Sequence, residues 1–439
     1  LYMRAEFFAM ARYQMALPGT VGGVDGGLIL ASGLPFHVLV RRNLDRTYPH
    51  LVRRLFDPQL YLTGLQNPAV SRKACANLSS YGWFPVGERL GFSSAELKQA
   101  DWNREVRATI HRHWVSEVQS QPSDIEAALL SCLDMQKRIG CEGFILPSPL
   151  TTDLGTDYSL ELAWLDHGLE LSAKSFPDTS RFATVAISDS CLRSQDPWSN
   201  SLLDLILDQI CARRPEGVYI VLEAANEGGY YINHPNTIGS LLRLVSGMKD
   251  GGIGTVSVAY AGIAGLMAVA VGADTWSAGW YRGERRLKLS DFEDDEGRSV
   301  PTYYSYPLAS EVHVDKDLDW INGEGFLERI ADSTDASAGL LRALREGRPT
   351  NSVPEWRYQR ANVRAAKEHF VAAAVRETML LKGMNRAQRI DRTRKWLYDA
   401  DRIASELMAR GSFNPRTALN HQANWLQALE RFVREGPSL

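Results

Sequence analysis

Cysteine is scarce and scattered: five thiols, at 75, 132, 141, 191 and 211, stand in 439 residues with no C-x-x-C pair and no Cys/His cluster. That spacing excludes a zinc-finger-type site and a disulfide framework, and it reads as reduced, mostly buried thiols. Long apolar runs are missing too. No stretch approaches the roughly 20 residues that a membrane span needs, and Arg12, Tyr13 and Gln14 interrupt the early apolar residues before a signal-peptide core forms. A cytoplasmic protein without membrane association is the expectation. The glycine-rich passage 19–33 contains neither G-x-G-x-x-G nor G-x-x-x-x-G-K-[ST], so it reads as a loop needing positive φ rather than a phosphate cradle. The G-x-S-x-G elbow is absent. His111 and His113 alternate on an expected helix and face apart, which argues against a two-histidine metal site. No metal is expected, and no cofactor is signalled.

What is present is ordinary globular composition, 44% hydrophobic and 23% charged. The length exceeds one small core, and an α/β barrel of about 250 residues with additions fits it. Charge is divided unevenly. Residues 357–439 carry 13 Arg and 3 Lys against 8 acidic residues, a net of +8, which leaves −11 on the first 356 to reach the overall −3. The pattern is a basic appendage on an acidic body.

Residues 251–286 (GGIGTVSVAYAGIAGLMAVAVGADTWSAGWYRGERR) set the fold class. TVSVAY at 255–260 and DTWSA at 274–278 are extended and largely apolar, with a short apolar helix at 265–271 between them, as in a βαβ unit buried on both faces. The same alternation precedes it: strands at 143–146, 184–187 and 218–222, and helices at 158–171, 202–212 and 237–248. A helix is expected over 5–14, and strands over 28–31, 36–40 and 59–65, with 302–308 available as a last. An elaborated loop or helical insertion is expected over 66–122. The whole predicts a parallel (β/α)8-type barrel, TIM-like, over 1–348, in preference to an open doubly wound sheet. A linker follows at 349–356, then a basic three-helix region over 357–439, with Asn385 capping its second helix.

In such a barrel the reacting groups lie at the carboxyl ends of the strands. Asp189 and Glu223 end neighbouring strands, where two close carboxylates divide into an acid and a base. Asn226, Glu227 and Tyr230 follow Glu223 in a polar, glycine-containing loop. With Tyr260, Trp276, Trp280 and Arg282 they form the expected substrate-binding wall, rich in stacking surface. Arg285 and Arg286, beside Arg282, are candidates for an anion or for pairing with the acidic run 291–296. In the basic region, Arg386, Arg389, Arg392 and Lys395 crowd a helix start that prefers anions, so either internal docking or a nucleic-acid backbone is expected to neutralise them.

Residues 266–286 (LMAVAVGADTWSAGWYRGERR) resemble the late-barrel segment of the tRNA-guanine transglycosylase family. The resemblance implies barrel architecture. In this register the family's nucleophilic aspartate falls at Ser277, and its cysteine-rich zinc site has no counterpart, so no catalytic residue carries over. The expectation is a cytoplasmic barrel enzyme, hydrolase or glycosyl-transfer class, that acts on a nucleoside-like or sugar-containing substrate by carboxylate acid/base chemistry. Two alternatives stand beside it: a catalytically inactive barrel serving as a binding or scaffolding subunit, and a nucleic-acid-binding protein using its Arg-rich C-terminal helices.

Overall fold

The structure, a computed structural model, describes residues 4–11, 22–48, 51–64, 74, 77–78, 80–84, 121–225, 231–279, 281–292, 300–411, 413–414, 417 and 419–436. Eight strands form one all-parallel sheet: β1 (Glu6–Ala11), β2 (Gly26–Leu30), β3 (Arg54–Asp57), β4 (Gly143–Ile145), β5 (Ser180–Ser188), β6 (Gly217–Glu223), β7 (Thr255–Ala259) and β8 (Thr275–Gly279). Their order is β3-β2-β1-β8-β7-β6-β5-β4. The ends of that series meet. Glu142, just ahead of β4, donates its backbone N–H to the carbonyl of Arg54 at 3.0 Å. Arg53 lays its guanidinium between the carboxylates of Glu6 and Glu142, 2.9 Å from each. The sheet is therefore a nearly closed (β/α)8 barrel, as the alternation predicts.

Helices α2 (Pro122–Arg138), α3 (Ser159–Ser175), α4 (Ser201–Arg213), α5 (Pro235–Asp250) and α6 (Gly265–Val271) follow β3 to β7 in turn and make the outer layer. Successive strand residues alternate between lumen and outer layer. Phe8, Phe182, Ala186, Tyr219 and Val221 fill the lumen, while Phe7, Val185, Ile220, Val258 and Trp276 pack outward under the helices. The lumen admits Phe182 because its neighbours lack side chains: a Cβ on Gly143 or Gly217 would sit 2.6 Å from the ring. Gly272 stops α6 at φ +135°, a backbone that L side chains rarely adopt, and turns the chain straight into β8.

Several local expectations are overturned. Residues 5–14, expected as a helix, contain strand β1. Glu, Ala and Met favour helices, but β1 lies between β2 and β8 with both faces covered, and that placement outweighs propensity. Residues 36–40, expected as a strand, form helix α1 (Phe36–Val40) behind Pro35. β2 already pairs with β1 and β3, so no sheet edge is free to take them. Residues 59–65, also expected as a strand, hold a 3-10 turn, Leu60–Gly64; the strand lies just before, at β3, and Gln59 breaks it with φ +54°. TYYSYPL at 302–308 supplies no barrel strand. β9 (Thr302–Ser305) pairs antiparallel with β10 (Ser310–His313) outside the barrel. Most of the expected insertion at 66–122 lies outside the described residues.

Helix α7 (Ala338–Arg345) buries Leu340, Leu341, Ala343 and Leu344. The span expected as a linker is packed: Thr350 is buried and hydrogen-bonds Asp319 through both its N–H and its hydroxyl, and Trp356 is buried. Helices α8 (Arg364–Leu381), α9 (Arg386–Met408) and α10 (His421–Glu435) share the apolar cluster of the barrel's outer layer. Trp276 of β8 donates its indole N–H to Thr378 of α8 at 2.9 Å, and Asn385 with Gln388 forms a reciprocal capping box at the start of α9.

Buried histidines seat this region on the β9–β10 hairpin. His369 bonds the Tyr304 carbonyl at 2.7 Å and stacks on Tyr303; His421 bonds the Ala309 carbonyl at 2.8 Å and stacks on Tyr231. Burial holds His421 down to about 4, below its ordinary 6.5. In the window between those values the unfolded chain takes up a proton that the folded chain refuses, so stability falls as pH falls. Between pH 7 and 4.5 this group alone is expected to remove about 2 kcal/mol. Urea melts at both pH values should show a smaller pH difference for His421→Gln than for wild type, and equal differences would refute the assignment.

Candidate active site

Ser188 ends β5 and Glu223 ends β6, paired in register, and counting from Phe182 and Tyr219 puts both on the lumen side. Glu223 is only 5% exposed. Burial raises its proton affinity; the Ser188 hydroxyl bonded to it works the other way, the Asp189 charge raises it again, and the Leu289 N–H and Lys288 lower it, the net shift being upward. Asp189 is fully buried at the head of a 3-10 turn, Asp189–Cys191, with Arg193 Nη1 3.6 Å from its carboxylate. The two carboxyl groups thus share an electrostatic neighbourhood while one of them has a guanidinium beside it. Such a difference in surroundings separates an acid from a base.

The expected wall is placed in pieces. Tyr260 directly follows β7, is fully buried and adopts φ +58°. Trp276 does not reach the mouth. Its ring lies on the outer face against Phe7, 4.7 Å between centroids, and bonds Thr378, because residue 276 has the outward parity on β8. Arg282 stands in a 3-10 turn, Arg282–Glu284, just past β8. Asn226, Glu227, Tyr230 and Trp280 lie outside the described residues. Arg285 pairs with Glu311 at 2.6 Å and Arg286 with Asp291 at 3.1 Å, so both are held by the chain's own carboxylates.

A second carboxyl site was hidden from sequence reasoning. Asp57, the last residue of β3, is fully buried and accepts hydrogen bonds from the Tyr61 hydroxyl at 2.5 Å, the Tyr219 hydroxyl at 2.7 Å and the Gln59 N–H at 3.0 Å. The Gln59 amide is oriented at both ends: its oxygen accepts from the Ser32 N–H at 2.6 Å and its nitrogen donates to the Tyr260 hydroxyl at 2.8 Å. This chain crosses the lumen from β3 to β6 and to the residue after β7. Burial pushes Asp57 up to about 6, against the opposing pull of the two phenols and the Gln59 N–H. The residues just after Asp57 were expected as a strand over 59–65, which left Asp57 ahead of a strand and not at the end of one.

The basic cluster is largely consumed by docking. Arg389 is fully buried and donates to the carbonyls of Leu381, Arg4 and Val269 at 3.0, 3.0 and 3.3 Å. Arg386 pairs with Asp250 at 3.1 Å and bonds Ser246. Arg392 bonds the Tyr306 side chain near Glu377. Lys395 is exposed and pairs with Asp399 at 2.9 Å. Anion contact through Arg389 is thereby ruled out, since its fork is filled by backbone carbonyls away from solvent. Among the described residues no group of three or more His, Cys, Asp or Glu is placed to hold a metal ion, and no helix is long and apolar enough to cross a membrane. No known family model matches the chain, and no curated protein matches its sequence.

Two outcomes follow. Folding raises the Asp57 pKa above its unfolded value, so its contribution is fully present below the unfolded value of 3.8 and is lost as pH rises through about 6. Denaturant melts of Asp57→Asn are therefore expected to gain on wild type by about 1 kcal/mol between pH 5 and 8; a gap that is constant with pH would disprove the raised value. Arg389→Leu, which strands three buried carbonyls, is expected to cost about 3 kcal/mol by the same measurement, and a neutral result would show that the guanidinium is dispensable.

Proposed function

We propose that the chain is an enzyme of the hydrolase or glycosyl-transfer class, working in the cytoplasm on a nucleoside-like or sugar-containing substrate at the carboxyl-terminal mouth of the barrel. The observation that carries this reading is Glu223: a buried carboxyl at a strand end, on the lumen side, with its proton affinity raised by burial and by Asp189. A carboxyl whose proton affinity is raised is better suited to act as a general acid, and a neighbouring carboxylate serves as base or charge stabiliser. Cleavage at a glycosidic or similar centre needs that division of labour. Glu223 protonates the departing oxygen or nitrogen, and Asp189, with Arg193 beside it, meets the positive charge or activates water.

A second reading, a binding or scaffolding subunit, has its own support in the exposed Met379, Leu380, Tyr398 and Met408 of α8 and α9. A panel of aryl glycosides and nucleosides, followed by release of phenol or base, separates the two. Glu223→Gln is expected to lower kcat about 100-fold or more while leaving the melting temperature near wild type. The wild-type basic limb of kcat/KM should lie above the ordinary carboxylate range, as the upward shift of Glu223 requires. Turnover that survives the substitution unchanged, or no turnover on any substrate of the panel, would overturn the proposal.

A further inference from the structure

The amino-terminal end of the barrel, opposite the mouth that holds Glu223, is hollow. A cavity of about 210 Å³ opens there among the first residues of the strands. A cavity of about 150 Å³ accommodates one benzene, so this one takes a six-membered ring with its substituents. Its floor is apolar: Phe182 of β5 and Leu55 of β3, both on the lumen side. Hydroxyls stand in its wall from three strands, Ser180 at the start of β5, Thr255 at the start of β7 and Thr275 at the start of β8. Thr275 has the lumen parity, next to the outward Trp276, and pairs in register with Glu6 and Ser257. It is 4% exposed, yet its Oγ1 has no hydrogen-bond partner among the described residues. An end of the barrel that served stability alone would be packed and would pair its buried hydroxyls.

The charges of the lining balance. Arg53 forks between Glu6 and Glu142, 2.9 Å from each. Asp274 pairs with Lys249 at 3.0 Å, and Arg4, exposed at the edge of the cavity, makes no ion pair among the described residues. Two guanidiniums thus face two carboxylates, and the Asp274–Lys249 pair adds no net charge. A charged ligand would bring an uncompensated charge into this lining, or would have to break the fork that closes the barrel. A neutral ligand does neither. The carboxylate oxygens of Glu6 and Glu142 have further lone pairs to accept from ligand hydroxyls, Arg4 donates, and the wall hydroxyls do both. A molecule rich in hydroxyls, donor and acceptor at once, meets all of these groups while its C–H face rests on Phe182 and Leu55. We propose that the amino-terminal mouth of the barrel binds an uncharged polyol of monosaccharide size, held by Thr275, Ser180, Arg4 and the outer lone pairs of Glu6 and Glu142. No bond is made or broken there, and the site does not rest on the chemistry proposed for Glu223.

Ligand-observed NMR titration of the full chain with glucose, ribose and myo-inositol, beside the charged analogues gluconate and glucosamine, reads the site. At least one neutral polyol is expected to bind with a Kd of about 1 mM, the affinity that about 12 ligand atoms of ordinary efficiency give. It should bind about 10-fold more tightly than either charged analogue. Thr275→Val keeps the side-chain shape and removes the unpartnered hydroxyl; it is expected to weaken binding about 10-fold while the melting temperature stays the same or rises. Ser180→Trp fills the mouth from an exposed position and is expected to abolish binding. Glu223→Gln should bind as wild type does, so loss of turnover and loss of binding are read separately. Binding unchanged in either Thr275→Val or Ser180→Trp, a preference for gluconate or glucosamine, or no binding of any neutral polyol would overturn the proposal.

Discussion

Closure between β3 and β4 is the constraint on which the other contacts depend. One backbone hydrogen bond, Glu142 to Arg54, and the fork of Arg53 between Glu6 and Glu142 join the two ends of the strand series. The ion pairs are partly exposed and contribute modestly. Their effect is geometric. A sheet closed there brings the end of β3 across from β6, and only then do Tyr61 and Tyr219 converge on Asp57. An open sheet of the same strands would leave Asp57 at an edge.

Charge is partitioned in a consistent way. At the carboxyl ends of the strands, acidic groups stand in unlike surroundings: Asp189 beside Arg193, Glu223 among a hydroxyl and a backbone N–H, and Asp57 among phenols. On the outer layer, the arginines at the start of α9 face the unfavourable end of a helix dipole. Backbone carbonyls around Arg389 and Asp250 beside Arg386 supply the missing negative charge from within the fold. The net +8 of the last 83 residues is thus in part the means by which these helices are fastened to an acidic body.

Legibility varied with the kind of signal. From 143 to 279 each strand is separated from the next by a helix, and local pattern and fold agree. Before residue 66 the elements are short, and their placement is decided by neighbours: β1 is a strand because β2 and β8 flank it, and FHVLV is a helix because no edge remains. At the site, strand ends pointed to Glu223 and Asp189, since where a strand stops is read from local pattern. Trp276 was misplaced because its parity on β8 is settled by pairing with β1 and β7. Asp57 was invisible as a site, because Tyr219 reaches it from a strand 162 residues later in the chain.

By itself, then, the sequence determined a parallel α/β barrel with basic helices after it, and the strand ends where carboxylates gather. It did so because alternation, capping and strand length are read from neighbouring residues. Tertiary structure alone decided which strands close the barrel, which arginines are spent on docking, and which distant side chains, such as those of Asp57 and Tyr219, meet. Those outcomes depend on contacts between residues far apart in the chain, which no local pattern encodes.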